Sequence, residues 1–208
     1  MAIETAFHGT PEGPVEEHPT ALGIDSRKLA VWMFLGSECL FFGALISTYL
    51  LFRTHTNGGP TAHSIFNIPY TSVSTFVLLM SSLTMVLALA GIQKNDIRSF
   101  RIWLLATAFL GMTFVGGQVY EFTDFFHRGF TIKTSAYGSS FFMLTGFHGA
   151  HVTIGIIMLL TLYLLSKQGK LPSSDSLKVE LVGLYWHFVD IVWIIIFTVV
   201  YLIPASKK

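Results

Sequence analysis

Long apolar stretches separated by short polar ones set the plan of this chain. Apolar residues run from Leu29 to Phe52, from Tyr70 to Gln93, from Phe100 to Phe122, from Tyr137 to Ser166 and from Lys178 to Pro204. Each is long enough at ~1.5 Å per residue to cross a bilayer core of ~30 Å. The pattern predicts five transmembrane helices, about 28–52, 70–93, 100–122, 137–166 and 178–204, in an all-α membrane bundle over 27–208. Between them lie polar segments: Arg53–Pro69 with the turn signal Asn57-Gly58-Gly59-Pro60, the basic turn Lys94–Ser99, the aromatic and charged loop Thr123–Ala136, and Lys167–Leu177. Residues 1–26 are acidic, contain proline and lack an apolar run, so they predict a mobile tail rather than a signal peptide.

The flanking charges suggest an orientation. Arg27, Lys28, Lys94, Arg98, Arg101, Lys167, Lys170 and Lys178 fall on one side; Arg53, Arg128, Lys133, Lys207 and Lys208 fall on the other. The excess places the N-terminus in the cytoplasm, and an odd number of spans places the C-terminus outside.

Composition agrees with the pattern. Apolar residues make up 52% and charged residues 12% of the chain, and the mean hydropathy is +0.61. A net charge of +1 argues against a nucleic-acid partner. Cys39 is the sole cysteine, which excludes an internal disulfide, covalent c-type haem attachment, and thiolate zinc or iron–sulfur sites held by this chain alone.

The candidate chemistry consists of polar groups set inside apolar helices, where they are costly unless partnered. Glu38 lies near the centre of the first helix. The second helix is rich in Ser and Thr, including Thr71, Ser74, Thr75, Ser81, Ser82 and Thr84; these residues predict packing and local hydrogen bonds rather than chemistry. Glu121 ends the third helix, at a level where a carboxylate is ordinarily solvated. The fourth helix carries no Asp, Glu, Lys or Arg from Tyr137 to Ser166, yet holds Thr145-Gly146-Phe147-His148-Gly149-Ala150-His151. The i,i+3 spacing puts His148 and His151 on one face, with Gly146 and Gly149 beside them to admit a neighbouring helix. In the last helix, Tyr185-Trp186-His187-Phe188-Val189-Asp190 places His187 and Asp190 at i,i+3, close enough to hydrogen-bond.

Three classes of function compete for these residues. His148 or His151 with His187 could ligate haem b, or the histidines could hold a metal with Asp190 or Glu38. A channel or transporter would want a continuous polar path and broken helices, whereas the prolines lie at helix borders. The third class is a helical subunit with buried polar posts that docks onto a larger membrane enzyme.

Four stretches, in order, closely resemble subunit III of the haem-copper terminal oxidases over about residues 31–201. They are Ser37-Glu38-Cys39-Leu40-Phe41-Phe42; Tyr120-Glu121; Tyr137-Gly138-Ser139-Ser140-Phe141-Phe142 leading into Thr145–Gly155; and Tyr185–Trp193. The five spans are similar to the short bacterial form, which lacks the first two of the seven helices of the mitochondrial form. In the long form those two helices wall a lipid-filled cleft, so their absence puts a fully enclosed lipid site in question. The resemblance implies a subunit with no active site, haem, copper or other metal of its own, although phospholipid is expected on it. It implies packing against the haem- and copper-bearing catalytic subunit I, with subunit II and a small subunit IV alongside, in the bacterial cytoplasmic membrane. It further implies that the subunit sustains proton uptake and protects the catalytic subunit, which reduces dioxygen to water and pumps protons. Under it, Glu38 is the buried carboxylate facing the catalytic subunit. Glu121, His148, His151, Tyr185, Trp186, His187 and Asp190 form a polar network touching lipid or neighbours. Glu38 resembles the cytochrome c oxidases, and the 57–61 loop and short length resemble quinol oxidase subunits; the expectation is cytochrome c as donor, with quinol as the alternative.

Overall fold

The computed structural model describes residues 25–56 and 67–203. Five long helices follow one another: α1 (Ser26–Phe52), α2 (Ile68–Gln93), α3 (Ile97–His127), α4 (Ala136–Lys167) and α5 (Ser176–Phe197). A short 3₁₀ turn, Ser173–Asp175, leads into α5, and α5 continues as a π-helical turn over Thr198–Leu202. All five are long and apolar enough to cross a membrane. The expected tail, apart from its last two residues, and the turn at Asn57-Gly58-Gly59-Pro60 lie outside the described residues, as do Pro204, Lys207 and Lys208.

The helix ends follow from local chemistry. Asp25, Asn67, Asp96 and Ser135 each accept a hydrogen bond from a first-turn amide of α1, α2, α3 and α4, at 2.7, 3.3, 3.0 and 3.0 Å. At the other ends, Asn95, Gly129 and Gly169 take positive φ angles of 61°, 77° and 72° just after α2, α3 and α4. The amide of the next residue then closes each helix: Asp96 N–H reaches the Gly91 carbonyl, Phe130 that of Phe125, and Lys170 that of Leu165.

The largest boundary difference is at the end of α3. Helix α3 continues through Thr123–His127, which the sequence reading assigned to a loop. The charges there are compatible with a helix end because Asp124 and Arg128 pair across one turn at 2.8 Å. The stop comes instead at Gly129. The last helix likewise starts two residues earlier than expected, at Ser176.

Helices α2, α3, α4 and α5 close into a ring, each packed on the next and α5 on α2; α1 leans on the outside against α4 and α5. Helix α1 is the least covered span, with Phe42 and Tyr49 its only buried residues. Trp186 of α5 fills the middle of the ring and is 2% exposed. It fits because α3 and α4 present glycines: a Cβ on Gly111 would stand 2.6 Å from the Trp186 ring, and one on Gly155 2.8 Å from it.

Candidate functional site: a hydroxyl ladder and an outer carboxylate–histidine pair

The ring of four helices encloses a column of polar groups. Helix α2 supplies its uprights. Ser81 accepts a hydrogen bond from Trp186 Nε1 at 2.9 Å, and Thr75 accepts one from Trp193 Nε1, also at 2.9 Å. Trp186 and Trp193 are seven residues apart, two helical turns, and so meet α2 on one face. Below them Thr71 donates to Glu121 Oε1 at 2.5 Å. The π turn of α5 sets buried Tyr201 beside Thr71 and Glu121 at this level. Between α2 and α3, Thr84 and Thr107 share a hydrogen bond at 2.8 Å.

The hydroxyl of Ser82 settles the fate of His187 and Asp190. It lies 3.0 Å from His187 Nδ1 and donates a short hydrogen bond to Asp190 Oδ2. The two i,i+3 side chains are therefore joined through a third residue on α2 rather than by the direct contact their spacing allows.

His148 and His151 share a helix but occupy different environments. His148 is fully buried. Its ring stacks on Trp193 at 4.8 Å and 24°, with Phe114 edge-on at 5.8 Å and Phe42 edge-on at 6.5 Å. Neither of its ring nitrogens has a hydrogen-bond partner. His151 faces outward to α1, where its Nε2 lies 3.2 Å from Glu38 Oε2. The His151 Nδ1 lies 2.7 Å from the Phe147 carbonyl, and the Tyr185 hydroxyl donates to the His151 carbonyl at 3.1 Å. Glu38 and His151 keep 18% and 14% of their side chains exposed. Glu38 thus reaches a partner within its own chain.

Two expectations are corrected here. Glu121 is not a solvated interfacial carboxylate: it is 8% exposed and bonded to Thr71. Gly146 meets nothing within 4 Å, so no helix of this chain packs on it. Gly149 does provide the close approach, because the amide of Gln118 occupies the place of its missing side chain and donates to the Thr145 carbonyl at 2.7 Å. Sequence reasoning also missed Ser82, Ser81, Thr75, Thr71 and Gln118 as partners of the named residues. The Ser/Thr density of α2 was the visible signal, but which helix it faced was not.

Chemically, this arrangement holds helices together and can keep a proton on the Glu38–His151 pair. Among the described residues no three His, Cys, Asp or Glu side chains converge as a metal site would require. His148 is stacked on Trp193, and His187 is bonded toward α2, so the two imidazoles are engaged with different neighbours.

The decisive comparison is with protein families. Residues 4–204 match the family model described as cytochrome c oxidase subunit III. The chain belongs to that family. The subunit III assignment is reinforced by individual relatives. The chain is 41% identical over 177 residues to cytochrome c oxidase subunit 3 of Bacillus sp. (strain PS3), covering 85% of this chain and 86% of that one. It is 38% identical over 201 residues to quinol oxidase subunit 3 of Bacillus spizizenii, covering 96% and 97%. It is 39% identical over 174 residues to the cytochrome bo(3) ubiquinol oxidase subunit 3 of Pseudomonas aeruginosa, covering 84% and 83%. Subunit III relatives with both kinds of donor in their names thus lie at similar distances, and the alignments cover most of each relative's length.

Proposed function

We propose that this chain is the non-redox third subunit of a bacterial, proton-pumping terminal oxidase that reduces dioxygen to water. It packs on the haem- and copper-bearing catalytic subunit, alongside subunit II and a small subunit IV, in the cytoplasmic membrane with its N-terminus inside. The observation that carries this reading is the family match over nearly the whole chain. The polar column supports it: its hydroxyls, indoles and carboxylates bond to one another across helices, as a scaffold requires.

The Glu38–His151 pair is the group we assign to proton uptake and endurance in turnover. It joins the least covered helix, α1, to α4, and a carboxylate within 3.2 Å of an imidazole nitrogen can share a proton with it. A neighbouring catalytic subunit or bound lipid would cover its remaining exposure. The donor we assign is cytochrome c. Quinol is the second reading, favoured by the relatives named quinol oxidase subunit 3 at nearly the same identity.

The test is purification of the native complex through a tag on this chain. The expected result is co-purification of haem, with dioxygen uptake driven by reduced cytochrome c. Uptake driven by quinol alone would replace the donor assignment, and a haem spectrum on the isolated chain or no co-purifying oxidase would overturn the role.

A further inference from the structure

An apolar furrow runs between α2 and α5, which pack on each other. On α5, exposed Ile191 and Ile194 stand one and two turns beyond His187; on α2, exposed Leu79 and Val86 flank Ser82 at i−3 and i+4. The walls are therefore aliphatic. Ser82 and His187, both half-buried, form the floor, and Asp190 is buried beneath them. His187 lies near the middle of the span Ser176–Leu202, ~16 Å or more from either end at ~1.5 Å per residue.

The hydrogen bonds fix which nitrogen of His187 carries its proton. Ser82 has one hydroxyl proton and gives it to Asp190. At 3.0 Å from His187 Nδ1 the same oxygen can then only accept, so Nδ1 carries the hydrogen of the neutral imidazole. Nε2 is left as a bare acceptor. It takes no partner among the described residues and is not sealed in the interior. The furrow thus presents one hydrogen-bond acceptor, at mid-membrane depth, between aliphatic walls.

We propose that this furrow binds a membrane-soluble hydroquinone, one phenolic O–H donating to His187 Nε2. A phospholipid brings only acyl chain to this depth and no donor. A water there would need two to four polar partners, and the aliphatic walls offer none beside Nε2. An isoprenoid hydroquinone carries O–H donors on an otherwise apolar body, so it satisfies Nε2 and covers the walls together. Its oxidised form carries carbonyl acceptors alone. Set against Nε2, a carbonyl leaves both groups unpaired, so the site separates the reduced form from the oxidised one. Occupancy then follows the reduction state of the quinones dissolved in the membrane. The inference goes beyond the oxidase reading: it concerns binding, with no bond made or broken, and it holds whichever donor feeds the complex.

The experiment photolabels the intact, cyanide-blocked oxidase complex with a decylhydroquinone whose tail carries a diazirine, and maps the label by mass spectrometry. Label is expected on this chain around residues 79–86 and 187–194, displaced by unlabelled decylhydroquinone. Decylbenzoquinone and decylhydroquinone dimethyl ether, which lack the O–H, are expected to compete roughly tenfold more weakly. His187→Phe, which removes the acceptor, and Val86→Trp, which fills the furrow and leaves every polar group in place, are each expected to lose the label there. Nitrogen NMR of the histidine-labelled complex, assigned by difference against His187→Phe, is expected to place the His187 proton on Nδ1. Haem content and dioxygen uptake before the block show that each complex is assembled, so failure of the oxidase role is distinguishable from failure of the site. Equal competition by the three compounds, unchanged labelling in Val86→Trp, a proton on Nε2, or label confined to other subunits because a neighbouring helix fills the furrow would each overturn the proposal.

Discussion

Ser82 concentrates the energetics of the polar column in one hydroxyl. Both His187 and Asp190 depend on it, and both lie in a helix that crosses the membrane. Ser82→Ala is expected to cost about 1–3 kcal/mol, because it leaves two inward polar groups without their shared partner. Thermal unfolding of the purified complex reads this as a lower midpoint, and Ser82→Thr should restore most of it; an unchanged midpoint in Ser82→Ala would show that the bridge carries no stability. The glycines give a second contrast at this scale. Gly155→Ala would press a methyl into the Trp186 ring and is expected to destabilise by about 1–3 kcal/mol. Gly116→Ala, facing open space, is expected to be neutral or slightly stabilising by the same measurement, since Ala is the better helix former. Equal midpoints for the two variants would mean that the ring of helices yields to Trp186.

At the scale of the element, the five spans were legible because each apolar run is as long as a bilayer is thick. The end of α3 was not. Asp124, His127 and Arg128 look like loop residues in sequence, but helical spacing pairs two of them and a positive-φ glycine supplies the stop. The named residues of the column were legible as misfits in an apolar background. Their partners were not, because a run of Ser and Thr does not say which helix stands opposite. The i,i+3 relation of His187 and Asp190 suggested a direct bond, and only the packing of α2 against α5 put Ser82 between them. The polar contacts that tie down helix α1 and its C-cap include Lys28 to Glu180, Glu38 to His151, and Arg53 to the Ile203 carbonyl. About a third of each side chain of the Lys28–Glu180 pair is exposed. A double-mutant cycle on it is therefore expected to give a coupling below ~1 kcal/mol; several times that value would make it a true anchor of α1.

For the whole molecule, the outer carboxylate is expected, on the proposed function, to matter more to the working complex than to the fold. Glu38→Ala is expected to leave the complex assembled while changing proton uptake or shortening its lifetime in turnover, measured as dioxygen consumption over successive cycles and as protons pumped per electron. Unchanged uptake, pumping and lifetime would remove Glu38 from any functional role. Replacing His151 alone by Leu is expected to harm assembly more than replacing Glu38 and His151 together, because the single change strands a carboxylate in the membrane. Haem recovered per unit of tagged chain measures this, and additive losses would show that the two do not act as a pair.

The packing order of the helices also has a consequence for biosynthesis. Helix α1 ends at Phe52, but its neighbours α4 and α5 begin only at Ala136 and Ser176. At ~5–20 residues per second, α4 leaves the ribosome on the order of ten seconds after α1. Throughout that interval Glu38 is in or near the bilayer without its imidazole partner. The nascent first span must therefore accommodate Glu38 without that partner, at a cost of about 2.5–3.5 kcal/mol on insertion scales, until the fourth span arrives.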